Sequence, residues 1–286
     1  MKIKWSTILV FPITRIILGS VICVSIFIGV QNFIIKPFLL SIIPSEDIAK
    51  TITNYISVIV LLASYYFLFR FYEKRNVTEL SLKYLPKEFT SGLIFGFSII
   101  SLVILALYVL GYYSISSISN YNYFLKPFSI LVGAALLEEI FYRGILYRIL
   151  ENWQGTFIAL FIMALLFELP HTFNENTTLL SFLLGVIFGL THGLMFTYTK
   201  RIWLPFAFHL GWNFAQPFYG SNLSGLEDLG SVIKAKFEGP KLLIGTNYGV
   251  EDSIISVIFL SIICIAFLYA SIKERKIIKR HSKSNN

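Results

Sequence analysis

Apolar residues run along this chain in blocks too long for strands, separated by short polar segments that hold most of the charge. A helix crossing the hydrocarbon core of a bilayer needs about 20 apolar residues. Residues 16–35 are uncharged and predict a first span, 51–69 a second that ends at Arg70, and 89–113 a third. After a polar stretch over 114–123, spans follow at 127–150, 155–169 (short), 177–199, 202–218 and 253–272. The expected fold class is therefore all-α: a polytopic transmembrane helical bundle of about eight spans. Neither an internal repeat nor a change of composition divides the chain, so residues 1–286 read as a single integral membrane domain.

Composition supports this reading: 56% of the 286 residues are hydrophobic and 14% charged, where soluble domains carry about 25% charged residues. Lipid must cover part of so much apolar side chain. The net charge of +8 would suggest nucleic acid if it formed a patch. Here it is dispersed between spans, which excludes that partner and sets orientation instead. Arg70, Lys74, Arg75, Lys83 and Lys87 follow span two, Lys200 and Arg201 follow span six, and Lys273 to Lys283 form a basic tail. By the positive-inside rule these segments are cytoplasmic, with the Lys2/Lys4 end, so both termini lie inside a multi-pass protein of the cell membrane. The apolar run after Lys4 is too long for a signal peptide and reads as a retained span. Cys23 and Cys264 both sit in apolar spans and suggest neither a disulfide framework nor a thiolate metal site. The tail reads as a lipid-binding, orienting segment, and the loop 220–252 as a cap on the outer face.

The fourth span places Glu138, Glu139 and Arg143 in an apolar helix. A charge at the bilayer centre costs about 2.5–3.5 kcal/mol on insertion scales, so such residues face a bundle interior and find partners. Glu139 and Arg143 stand four apart, share a face and can pair. Glu138 is turned about 100° around the axis, where the same arginine reaches it less easily. One carboxylate is held and one is available. The competing reading is a helix that runs past the headgroups with its charges merely solvated.

The fifth span ends in FELPH, where His171 beside Pro170 reads, alone, as a cap and Glu168 as the wet end of the span. In the seventh, His209 and Asn213 project from one face, as interhelical hydrogen-bond partners also do. His192 in the sixth, between Gly189 and Gly193, reads as a packing or hydrogen-bonding residue. Together, three helices supply groups that hydrolysis needs. A carboxylate serves as general base if burial tunes it, and imidazoles and an amide can hold water or an oxyanion, or ligate a metal. HExxH is absent, so any site is assembled from scattered helices. The residues alone leave a hydrolase, a non-catalytic scaffold and a proton-coupled transporter; the inverted repeat and broken spans of transporters are not seen.

At these residues the chain resembles the CPBP family, which includes type II CAAX prenyl endopeptidases and bacterial Abi-type and bacteriocin-processing proteins. The EExxxR motif stands at Glu138, Glu139 and Arg143, FxxxH at Phe167 and His171, and HxxxN at His209 and Asn213, within residues 129–218. The resemblance implies an intramembrane endopeptidase in which Glu138 activates water, His171 is a catalytic or ligand residue, and His209 and Asn213 stabilise the oxyanion or complete the site. Glu139 and Arg143 become supporting members. It also implies a peptide or protein substrate, prenylated or leader-bearing, near the bilayer. The choice between a metal-free glutamate mechanism and zinc held by Glu138, His171 and His209 stays open. One tension follows from the span boundaries: His209 falls in the cytoplasmic half of its helix and His171 near the outer end of its own. Catalytic groups must converge, so a shifted boundary, a tilt or a break at Pro170 is expected.

Overall fold

The computed structural model describes residues 8–119, 126–227 and 229–280. Lys2, Lys4, Lys283 and the end of the 114–123 stretch lie outside the described residues. Helix α1 (Pro12–Val30) continues through a π-helical turn (Gln31–Ile35) into α2 (Lys36–Ile42), and α3 (Glu46–Tyr72) and α4 (Leu85–Val109) follow. After strand β1 (Tyr113–Ile118), α5 (Lys126–Glu139) runs through a π-helix (Ile140–Tyr147) into α6 (Arg148–Gln154). Next come α7 (Thr156–His171), α8 (Leu179–Thr199) and α9 (Trp203–Phe218). Strand β2 (Ile233–Phe237), the short α10 (Lys241–Ile244) and α11 (Ile254–Lys273) complete the described chain.

Local chemistry sets these boundaries. Ser45 caps α3 by accepting from the Ile48 N–H, with Glu46 and Asp47 in the first turn, where carboxylates complement the helix dipole. Thr178 and Ser181 form a capping box at α8. Gly155 separates α6 from α7 at φ +85°, and a Cβ there would stand 2.7 Å from the Arg280 nitrogen.

Each of the eight expected stretches falls on helix. Five helical runs are long and apolar enough to cross a membrane: Pro12–Ile42, Glu46–Tyr72, Leu85–Val109, Leu179–Thr199 and Ile254–Lys273. The other three differ for physical reasons: α7 and α9 have 16 residues each, and α5 with its continuation carries charge. Those three hold the expected site residues. Large apolar side chains on α1, α3, α4 and α11 (Ile17, Ile59, Leu105 and Ile262 among them) point outward, as lipid contact allows, while α9 is buried along most of its length.

Glycines permit the tightest packing. A Cβ on Gly96 of α4 would fall 2.2 Å from the Phe208 carbonyl oxygen, and one on Gly211 of α9 2.3 Å from that of Leu93. Small residues let membrane helices approach at backbone distance in this way.

At the basic end, polar networks tie the helices. Glu73 accepts from Arg15, Arg75 and Arg148. Burial pushes its carboxyl up, but the three guanidiniums outweigh that and hold it at about 2. Glu151 accepts from Tyr147, Thr156 and Lys200, and Arg201 pairs with Glu88. At the other end β1 and β2 pair antiparallel, with an irregularity between Ile115 and Ser117. This ribbon lies where the sequence predicts only polar loop, because its pairing partners are more than 110 residues apart (Tyr113 opposite Phe237).

Candidate active site

The last turn of α5 presents its two carboxylates differently. Glu139 is fully buried, and its Oε1 accepts from Arg143 Nη1 at 3.0 Å. The guanidinium also donates to the Gly189 carbonyl at 3.3 Å and lies 4.7 Å from the centre of the Phe167 ring, a cation–π contact. The i, i+4 pairing expected from the sequence is therefore present, across the start of the π-helix. Such segments recur at functional positions in helices. The Glu138 side chain is 28% exposed, and its Oε2 makes no hydrogen bond among the described residues.

His209 links the two carboxylates. Its Nδ1 lies 3.0 Å from Glu139 Oε1 and its Nε2 3.9 Å from Glu138 Oε2. A carboxylate only accepts, so Nδ1 carries the proton of that bond, and Nε2 faces Glu138. The order is Arg143, Glu139, His209, Glu138: a buried cation holds a carboxylate, which fixes an imidazole, which faces the free carboxylate. This is the orienting logic of nucleophile–base–acid triads.

Glu138, His171, His209 and Asn213 all line one cavity of about 420 Å3. The tension between His171 and His209 resolves without a break, since α7 runs unbroken through Pro170 to His171. Helix α9 starts against the chain near residue 80, where the Ile202 N–H donates to the Glu79 carbonyl and Trp203 Nε1 to that of Ser81 at 3.0 Å.

Glu168 departs from its expected place at a wet end. It is 1% exposed and lines the cavity, and its Oε1 has no partner among the described residues. Its carboxylate fits only because residue 185 is glycine: a Cβ there would stand 1.6 Å from Glu168 Oε2.

His192 is the residue that the sequence reading undervalues. It is completely buried, its ring centre is 5.3 Å from that of His209, and its Nε2 is unpartnered among the described residues. A signal was available: Phe188-Gly-Leu-Thr-His192 repeats the FxxxH spacing of Phe167 and His171. Both histidines bond Nδ1 to the carbonyl of that phenylalanine, at 2.9 Å for His171 and 2.8 Å for His192. Tyr248 and Glu251, from the chain between α9 and α11, also reach the cavity. Glu251 is tied to α9 by Trp212 at 3.0 Å and Gln216 at 2.8 Å.

The set Glu138, His171 and His209 shares the cavity but is not a compact donor group. Among the described residues the compact group is Glu139, His192 and His209, with ligand atoms within 4.8 Å of one another. The compact group does not suit a resident zinc ion, because Arg143 already places a buried positive charge on Glu139 Oε1, where a second cation would be repelled.

Residues 120–215 match the family model described as type II CAAX prenyl endopeptidase Rce1-like. No curated protein and no solved structure matches the chain. The matched segment opens just before α5, ends inside α9 and contains every residue from Glu138 to Asn213 described above. Over that segment the chain is similar to type II CAAX prenyl endopeptidases, which supports the CPBP family of CAAX-type membrane proteases.

Proposed function

We propose that this protein is an intramembrane endopeptidase, a single integral domain of the cell membrane, that cleaves a peptide bond with a water molecule activated by Glu138. The observation that carries this reading is the ordered set Arg143–Glu139–His209 behind a free Glu138, in a cavity shared with His171 and Asn213. Glu138 removes a proton from water as the oxygen attacks the peptide carbonyl. The Asn213 amide donates to the developing oxyanion, the step at which fixed donors contribute most. His209, its Nδ1–H held by Glu139, takes the proton onto Nε2 and returns it to the leaving amine as the C–N bond breaks. The products are a carboxylate and an amine. His171, whose Nδ1 is bonded to the Phe167 carbonyl, lines the same cavity and orients the substrate.

The substrate is a peptide or a protein segment at the membrane. The test is cleavage of quenched prenylated and leader-bearing peptides by purified protein, comparing the wild type with Glu138→Gln and His209→Ala. Activity that survives both substitutions removes these residues from the mechanism. Activity lost on chelation and restored by zinc replaces the glutamate mechanism with a metal-dependent one. A membrane phenotype indifferent to both variants supports a scaffold in place of an enzyme.

A further inference from the structure

The cavity occupies one half of the bundle. On α5 and the first turn of the π-helix its lining runs from Ile130 to Tyr142, and it takes nothing from α6. On α7 it begins at Phe167, in the last turn, and on α8 it ends at Phe188, before the second half of that helix. Its cover comes from the chain between α9 and α11, including Leu226, Tyr248 and Glu251. The opposite half is closed. Ile145, Tyr147, Leu160, Met163 and Met195 are buried there, and the Glu73 and Glu151 networks bind the helix ends below them.

That closed end is the basic one. Every arginine except Arg143 belongs to it: Arg15, Arg75 and Arg148 around Glu73, Arg201 on Glu88, Arg70 at the end of α3, and Arg275 and Arg280 after α11. The cavity end carries lysines only, two of them paired with neighbouring carboxylates (Lys50 with Glu46, Lys126 with Asp47). By the positive-inside rule the arginine end faces the cytoplasm.

We infer that the site is entered from the non-cytoplasmic side, and that its substrate is an apolar peptide segment at that surface of the membrane, outside the cytoplasm. Ile130, Leu131, Leu184, Leu223 and Leu226 give the cavity apolar walls, and Ile130 and Leu226 are 40% and 57% exposed at its rim. A tail presented from the cytoplasm would have to pass the packed half of the bundle to reach Glu138. This inference deepens the peptidase proposal and rests on it for the nature of the substrate, while the side of entry stands on geometry and charge alone.

The test reads topology independently of cleavage. In a chain carrying Cys23→Ala and Cys264→Ser, single cysteines are placed by Leu226→Cys at the rim, Lys236→Cys on β2 and Lys83→Cys at the basic end. Each variant is checked for membrane abundance, then treated in intact cells with a membrane-impermeant maleimide. Leu226→Cys or Lys236→Cys should label in intact cells, and Lys83→Cys only after permeabilisation. Labelling of Lys83→Cys in intact cells, or protection of both cavity-end cysteines until permeabilisation, overturns the inference. A chain that labels as expected yet cleaves no peptide refutes the peptidase reading and leaves the side of entry intact.

Discussion

His209 places its Nδ1 3.0 Å from the same Glu139 oxygen that receives Arg143 Nη1 at 3.0 Å. A charged pair at the centre of the bundle therefore serves also as the positioning device for an imidazole. That double use separates the effects of two substitutions. Glu139→Ala leaves Arg143 buried without its partner and should destabilise the protein by about 3–5 kcal/mol. Glu139→Gln keeps the shape and one acceptor but removes the charge that fixes the tautomer. Cleavage should fall about 10²–10⁴-fold with a much smaller loss of thermal stability in detergent. Equal damage from both variants would argue for a purely structural role.

Glu138 is partly exposed and Oε2 is unpartnered. Glu138→Gln should therefore abolish cleavage, by about 10³-fold or more on the scale of general-base loss, while the unfolding midpoint stays within about 1 °C or rises. A marked drop in midpoint would place Glu138 among the structural residues.

Backbone contact between α4 and α9 predicts a contrast among glycines. Gly96→Ala and Gly211→Ala force apart the helix that carries His209 and Asn213, at a cost of about 1–3 kcal/mol or more, with loss of activity. Gly133→Ala, with open space around its would-be Cβ, should be neutral or stabilising by about 0.5–1 kcal/mol. Unfolding curves of the three variants decide the matter, and equal effects would contradict the close approach.

Gly185→Ala should displace the Glu168 carboxylate, since the added Cβ would occupy the space of Oε2. If Glu168 acts in the cavity, Gly185→Ala and Glu168→Leu should change peptide preference or KM in parallel. Parallel loss of stability without any change in KM would reduce Glu168 to a packing element.

Glu73 sets a pH dependence at the basic end. Its carboxyl sits at about 2 against an ordinary 4.5, so its contribution is fully present above pH 4.5 and disappears as pH falls toward 2. The linkage amounts to about 3 kcal/mol, of which about 2 is lost by pH 3. Thermal unfolding followed from pH 7 to pH 3 should show this loss in the wild type and a flatter profile in Glu73→Gln. Matching profiles would disprove the linkage.

How far the sequence reached can be judged residue by residue. The i, i+4 spacing of Glu139 and Arg143 exposed their pairing, because one helix fixes that distance. Convergence of Glu138, His171, His209 and Asn213 was legible only through three motifs taken together, since no local rule says which helices are neighbours. His192 was hidden by its glycine-rich setting, which implies close packing and in fact brings it against His209. The β1–β2 ribbon was missed: 233–237 alternates apolar and charged residues, but its partner 113–118 lies more than 110 residues away across the site-bearing core, and no local rule joins the two. Apolar length is a weaker guide to the helices that build the site, because they are short or charged, although each lies on a stretch the sequence pointed to.

The π-helix at Ile140–Tyr147 joins two stretches with different work to do. Before it, Glu138 turns to the cavity; after it, Arg148 donates to Glu73 and, with Tyr65, to the Gly144 carbonyl. The wide turns set the angular phase between them, so the chemistry at one end and the anchor at the other are locked by residue count. A single deletion within those eight positions would rotate the reactive carboxylates away from His209 by roughly a quarter turn while every side chain of the site was still encoded.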